Sequence, residues 1–445
     1  MYGRNCRIVS TRVQCGTVTN RATLERRCEF ALVSMGRIEP IEKETLVVDG
    51  SDEEMPFAAA VSEKTNLNAA IQEAVQIVAG ELGRKPDLSF AFVSHHHAKH
   101  FSTMSASILE RLGGGLLLGC TGETVIGGTR EYEGGPALSL WSGVLPGADL
   151  LPFQMEFAET PDGFMCGGLP DDLGARLDET RAVLFLGEPF SSVPQSVLDL
   201  LADELPNVPV IGGQASGGNP GENRLFMNDR EIDEGAIGVV IRGGPQIRSV
   251  VSQGCRPIGI PFVVTKAERN VVYELGGAPP MQRLQELYHL LPPRDQKLVE
   301  LGVHIGIALN EYQESFHRGD FLILNVVGVD KKSGALKAGG VIRVGQTVQF
   351  QIRDGETADA DLIRLLERHS AEHPRLPAAS LLFSCNGRGS RMFSGPDHDA
   401  TQIQRHLGPL PLAGIFAQGE LGPLGGKNYI HGFTASIALF EEEIV

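Results

Sequence analysis

LLFSCNGRGSRMFSGPDHDATQIQRHLGPLPLAGIFAQGELGPLGGKNYIHG, residues 381–432, reads as an apolar strand, a glycine-rich turn, a helix and a second apolar strand. The first run breaks at Cys385-Asn386-Gly387-Arg388-Gly389, where glycine supplies the backbone freedom of a tight turn. Gly395-Pro396 precedes Asp397-His398-Asp399, a helix start whose Asp397 suits both the cap position and the helix dipole. The re-entrant strand ends at Gly419-Glu420. Two echoes of this layout lie at 89–123 and 182–218. A repeated strand–turn–helix–strand unit is a duplicated scaffold, and its last copy carries the densest polar chemistry.

Working outward, the first echo runs LSFAFVS (88–94), a helix over 101–112 and LLLGC (116–120). The second runs AVLFLGEPF (182–190), SVLDLLADEL (196–205) and PVIGG (209–213). Closing strands follow at ALSLWSG (137–143), AIGVVI (236–241) and FTASIALF (433–440). Apolar spacing predicts a further helix over 66–82, with Asn66 as its cap. Between the second and third copies, 250–275 reads as antiparallel strands, and helices are expected over 281–290, 294–309 and 358–369. The fold class is therefore α/β, with two related domains of repeated strand–helix–strand units and mixed sheets. A composition shift near 243–262 places the seam between domains of 57–245 and 260–440.

The chain has 445 residues, 42% hydrophobic and 21% charged, the balance of a globular protein with ample core. A formal charge of −16 argues against a nucleic-acid or anionic-membrane partner. No apolar run approaches the roughly 20 residues that span a bilayer. The 54 glycines exceed the average usage of about 7% and cluster at the ends of apolar runs. Seven cysteines lie without a CxxC pair, so neither a zinc site nor a disulfide framework is indicated and reduced thiols are expected. Residues 1–54 differ from the rest, with seven arginines and no lysine in the first 37. They read as a disordered extension or as sequence upstream of a true start at Met55, with a targeting peptide as the third reading.

One set of motifs is recognisable: QGCRPIG (253–259), VTKAERN (264–270), GDFLILNVVGVD (319–330), VQFQIRD (348–354), CNGRG (385–389), GIFAQGELGP (414–423) and HGFTAS (431–436). On these the C-terminal half resembles the FIST family, whose paired N- and C-terminal domains are proposed sensors. The N-terminal half resembles it more loosely, through its spacing and GCTGETVIGG (119–128). The resemblance implies a cytoplasmic sensor of small ligands in signal transduction, with amino acids as the proposed ligand and no established catalysis. The chain shows no kinase, cyclase or receiver segment beside the two domains, so its output would pass to a separate signalling protein.

In α/β layers the loops beyond strand C-terminal ends form the usual ligand crevice. Arg388 offers a fork for a carboxylate or phosphate, or else braces the turn through backbone carbonyls or pairs with Glu420. Glu420 could hold an ammonium group or fix the two turns together. Asn386 shares the loop. Cys385 is the candidate thiol nucleophile, with His398 and His431 as bases, or a packed small residue. Arg256, beside Cys255, could add to an anion site, while Arg353-Asp354 reads as a local charge network. The expected ligand-binding set is Cys385, Asn386, Arg388, Glu420, Arg353 and Arg256, with no catalytic residue, metal or cofactor assigned. The tract His95, His96, His97 and His100 projects in several directions, which disfavours a metal site. VIGGQASGGNPG (210–221) lacks a Walker lysine and GxGxxG spacing. Two alternatives to the sensor remain: an enzyme acting on a small carboxylate, and an interaction scaffold without a small ligand.

Overall fold

Three sheets repeat one plan, and each centres on a parallel pair of apolar strands. The pairs are Leu88–Ser94 with Leu116–Gly122, Thr180–Gly187 with Val210–Gln214, and Ala379–Cys385 with Leu412–Ala417. A helix joins the two strands of each pair: Phe101–Leu112, Pro194–Glu204 and His398–Leu407. Beside the first parallel strand lies an antiparallel closing strand, Leu138–Gly143, Ala236–Arg242 or Thr434–Glu441. Beyond it comes the strand that opens the repeat, Phe57–Ser62, Asp149–Thr160 or Gln246–Gln253. These observations come from a computed structural model that describes residues 56–160, 163–373 and 375–442, so the expectations for 1–54 lie outside the described residues.

The free edge of each sheet is completed by a hairpin from a different repeat. The hairpin Thr124–Gly127/Arg130–Glu133 of the first repeat adds to the third sheet, with Val125 opposite Ile415. Leu225–Met227/Arg230–Ile232 of the second adds to the first, with Leu225 opposite Cys120. Glu420–Leu424/Lys427–His431 of the third adds to the second, with Glu420 opposite Gly213. The exchange closes a ring, so no repeat has a bare edge beside its second parallel strand.

The shared core lies between the sheets. Phe92 and Phe383 meet edge-to-face at 6.1 Å and 87°, and Trp141 lies 4.9 Å from Phe440. All four are fully buried, and each such side chain contributes about 1.5–3 kcal/mol by leaving water. Gly119 and Gly414 take equivalent places on the second parallel strands. A Cβ there would lie 2.1 Å from the Ala91 carbonyl oxygen and 1.8 Å from that of Leu382, so only glycine permits the strands to pair.

The third repeat carries an insertion. Where the first passes directly from Phe57–Ser62 to helix Leu67–Leu82, the third places residues 255–353 between Gln246–Gln253 and helix Gly355–Glu372. This insert is a closed antiparallel barrel. Its order is Thr347–Arg353, Phe262–Glu268, Val271–Leu275, Leu336–Ala338, Phe321–Val329 and Val303–Ala308, which returns to Thr347–Arg353. The expected helix over 294–309 stops at Leu301. Gly302, at φ 143°, ends it, and the alternating apolar run Val303–Ala308 becomes a barrel strand. Helices 67–82 and 101–112 stand where the spacing placed them, and Asn66 caps the former by accepting the Ala69 amide at 3.0 Å. Asp397 differs: it sits at φ 63° and makes no cap bond. Its carboxylate instead accepts the Glu131 amide at 2.7 Å, tying the helix to the exchanged hairpin.

Candidate functional site

Strand alternation sets up the site. On Thr347–Arg353, Val348, Phe350 and Ile352 fill the barrel, so Gln349, Gln351 and Arg353 lie on its outer face. His304 does the same on Val303–Ala308. Gln349, Gln351 and His304 are nevertheless buried. Cover for this face comes from the third repeat: the Phe433 ring lies 4.4 Å from His304 and 4.7 Å from the Arg353 guanidinium. Phe433 itself holds φ 64°, a left-handed conformation that costs a bulky residue about 1–3 kcal/mol. Its carbonyl accepts the Gly254 amide at 2.7 Å.

Arg388 enters this seam from the strand end. It is fully buried, and its Nε and Nη2 donate to the two oxygens of Asp399, each at 2.7 Å. This forked pair corrects the anticipated brace to Glu420. Asp399 also accepts Ser384 Oγ at 2.7 Å and meets His398 Nδ1 at 2.8 Å. Burial alone would raise the Asp399 pKa, but the Arg388 charge and these bonds hold it well below the usual carboxylate range. His398 continues outward to Asp359 at 2.9 Å, its ring stacked on Phe393.

Glu420 is fully buried, and its Oε2 accepts the Thr434 amide at 3.1 Å and hydroxyl at 2.8 Å. Burial pushes its carboxyl up to about 8, with Thr434, Arg388 and Cys385 only partly offsetting. The Cys385 thiol accepts the Gly387 amide at 3.4 Å. Burial, reinforced by the Glu420 charge, pushes this thiol up to about 12. Arg353 donates from Nη2 to the Gly387 carbonyl. Burial, then the Arg353 charge, pushes His304 down to about 4, which leaves it neutral at physiological pH.

Among the described residues, besides both ring nitrogens of His304 and Gln349 Oε1, six polar atoms along this seam are buried without a hydrogen-bond partner. Arg388 Nη1, Arg353 Nε and Gln351 Nε2 are donors; Glu420 Oε1, Asn386 Oδ1 and Gln253 Oε1 are acceptors. Each such atom costs about 1–3 kcal/mol, and native proteins keep few. Their concentration between two elements leaves donors and acceptors able to meet a group placed between barrel and third repeat.

The structure thus brings together five of the six expected residues: Cys385, Asn386, Arg388, Glu420 and Arg353. Arg256 is not among them. Its neighbour Cys255 faces the seam, so alternation turns Arg256 away, to Asp354 at 2.6 Å and to Asp295. Asp354 caps helix Gly355–Glu372 and also pairs with Arg294, so Arg256 belongs to a bracing network. Arg353 and Asp354 likewise part company. The residues that the sequence did not reveal are Asp399, Gln351, Gln253, His304, Phe433 and Thr434. Four of them lie inside quoted motifs, Gln253 in QGCRPIG, Gln351 in VQFQIRD, and Phe433 and Thr434 in HGFTAS, and Asp399 stands at the noted helix start, so His304 alone lies outside every motif singled out. The histidine tract disperses, His95 bonding the Ser216 carbonyl and His96 the Ser94 hydroxyl. Among the described residues no group of three or more metal-binding side chains converges, and no helix is long and apolar enough to cross a membrane.

Comparison with known proteins completes the description. Residues 87–278 match the FIST N domain and residues 281–423 the FIST C domain, and the junction falls inside the barrel. The chain is 40% identical over 390 residues to the uncharacterized protein Rv0628c of Mycobacterium tuberculosis, covering 87% of this chain and 100% of the relative. It is 38% identical over 377 residues to the uncharacterized protein Mb0898c of Mycobacterium bovis, covering 84% and 96%. A 138-residue stretch is 34% identical to the uncharacterized protein MJ1623 of Methanocaldococcus jannaschii, covering 30% of this chain and 24% of that one. With both domains matched in order along one continuous scaffold, this chain belongs to the FIST family.

Proposed function

We propose that the protein is a non-catalytic, cytoplasmic sensor that binds a small carboxylate-bearing ligand, with amino acids the leading class, in the seam between barrel and third repeat. The observation that carries this reading is the set of six unpartnered buried polar atoms. Arg388 Nη1 and Arg353 Nε suit a carboxylate, and Glu420 Oε1 with Asn386 Oδ1 suits an ammonium group. The ligand would join two elements, the barrel and the third sheet, whose relative placement an output protein could read. FIST domains are regarded as sensors in signalling, which agrees with this division.

The non-catalytic reading draws support from Cys385. A thiol pushed up to about 12 supplies almost no thiolate at neutral pH. His398 is engaged by Asp359 and Asp399, and His431 by the Gly422 carbonyl at 2.9 Å. Neither serves Cys385 as a base.

A thermal-shift panel of amino acids and small carboxylates tests the proposal. A ligand at 100 times its Kd stabilises by about 2.7 kcal/mol, a clear rise in Tm. Arg353→Gln and Asn386→Ala should abolish the shift. A panel without any hit, or a hit that both variants retain, overturns it.

A further inference from the structure

Outside the seam, a cleft of about 410 Å³ opens at the C-terminal ends of the parallel strands of the first and third repeats. His95, Glu123, Glu133, Gly217, Arg391 and Phe416 line it, so all three repeats contribute. Across it lies the short helical turn Gly389–Arg391, which follows the Cys385–Arg388 loop directly. Two carboxylates from the first repeat's exchanged segment strap that turn down. Glu133 accepts the Ser390 amide at 2.9 Å and its hydroxyl at 2.6 Å. Glu123 pairs with Arg391, whose Nη1 also donates to the Asn386 carbonyl at 2.9 Å.

We infer that this cleft is the port to the seam, and that the Arg391–Glu123 pair, backed by Ser390–Glu133, is the bar across it. The inference rests on the seam being the ligand site. Asn386 is the shared wall: its carbonyl holds Arg391 on the cleft side, and its side-chain oxygen is one of the six unpartnered atoms. The strap differs in kind from the anchor behind it. Arg388 and Asp399 are both fully buried, whereas the Arg391 and Glu123 side chains are 56% and 37% exposed. Exposed pairs are weak, screened by salt and readily exchanged for water. Gly389, at φ 58°, and Gly387 frame Arg388 in the loop. A Cβ on Gly389 would lie 2.5 Å from the Phe416 ring, so the strapped turn seats flush against the cleft wall. Because the strap's carboxylates come from another repeat, lifting the turn breaks no strand pairing of the third sheet.

Cys385 makes a reporter that needs no ligand. Labelling of the intact protein by N-ethylmaleimide, resolved by peptide mass spectrometry, gives separate rates for Cys385 and for Cys120, which is fully buried in the core between the sheets. Arg391→Gln and Glu123→Gln should each speed Cys385 by roughly tenfold, the loss of one exposed ion pair and one hydrogen bond, with Cys120 unchanged. Salt at 1 M, where the Debye length is about 3 Å, should speed Cys385 in the natural protein and not in Arg391→Gln. Unchanged Cys385 rates in both variants, or Cys120 rising in parallel, would refute the bar. A negative ligand panel with a positive labelling result rejects the sensor reading alone, and the reverse pattern rejects the port alone.

Discussion

Glu188 in the second repeat and Glu420 in the third are both buried carboxylates beside a parallel strand end, and their surroundings differ sharply. Glu188 Oε2 accepts the Phe190 amide at 2.9 Å, the Ser191 amide at 2.8 Å and the Ser191 hydroxyl at 2.7 Å, and Oε1 accepts Asn223 Nδ2 at 3.3 Å. Both oxygens are served. Glu420 has Thr434 on one oxygen and nothing on the other. One scaffold therefore carries a carboxylate that knits a turn and another with one oxygen left unserved. The difference teaches where to look in such repeats: the corner proposed to bind the ligand is the one whose polar atoms its own fold leaves unserved.

The largest way to break this comparison is to break the scaffold that makes the corners comparable. Residues 56–245 produced alone would lose the hairpin Glu420–His431 from Val210–Gln214 and expose that strand's edge. Neither this fragment nor its C-terminal counterpart, deprived of Thr124–Glu133, should unfold cooperatively in urea. A sharp two-state transition in either fragment would show that the exchanged hairpins are dispensable.

Next in size is the anchor. Arg388→Ala leaves Asp399 buried without its counter-charge and should cost about 3–5 kcal/mol in chemical denaturation. Arg391→Ala, at an exposed pair, should stay within about 1 kcal/mol. Equal costs would mean that the buried fork is no anchor.

The pH dependence comes third. Glu420, raised from 4.5 to about 8, and Glu131, also raised to about 8 by burial and then by Asp399, bind protons more tightly folded than unfolded. Their contribution is full below pH 4.5 and is lost as pH rises through 8. Stability should fall across pH 5–8 by up to about 1.4 kcal/mol per pH unit for each group. Asp399, with its lowered pKa, acts only as pH falls below its ordinary 3.8 and leaves this window clear. Glu420→Gln should flatten part of the slope, and a slope unaltered by it would remove the protonated Glu420 from the account. An amine ligand that ionises Glu420 should in turn bind more tightly toward pH 8.

Much of this architecture was legible in the sequence, for a physical reason. Strand–helix alternation is local, so LSFAFVS, AVLFLG and ASLLFSC announce three parallel strands and their glycine-rich turns. The hairpin exchange is not local. Val125 meets Ile415 across most of the chain, and no short-range pattern records such a pairing. The misread helix over 294–309 failed at Gly302, where an apolar run suits either periodicity. At the candidate site, CNGRG and GELGP marked two of the loops that the fold brings together. The acid considered for Arg388 was Glu420, because Asp399 reads as an ordinary helix-start residue until the helix is seen to turn it inward. VQFQIR announced an alternating strand, but alternation does not say what covers the polar side. Here it is Phe433, and the cover turns Gln351 and Arg353 from surface residues into residues of the proposed seam.

The smallest effect tests the opening comparison most directly. Glu188→Gln replaces an acceptor of several donors by an amide whose nitrogen would face the Ser191 or Asn223 donors, so at least one bond is lost and one donor opposed. The cost should be about 1–3 kcal/mol in urea denaturation at pH 7. Glu420→Gln replaces a carboxyl that is already largely protonated at that pH, with one oxygen still able to accept from Thr434. It should change stability by less than about 1 kcal/mol while removing the ammonium contact, and with it the thermal shift from any amine ligand. A corner built for structure loses stability and no binding; a corner built for a ligand loses binding and little stability. If Glu420→Gln proves the costlier substitution, with ligand response intact, the roles of the two corners are reversed.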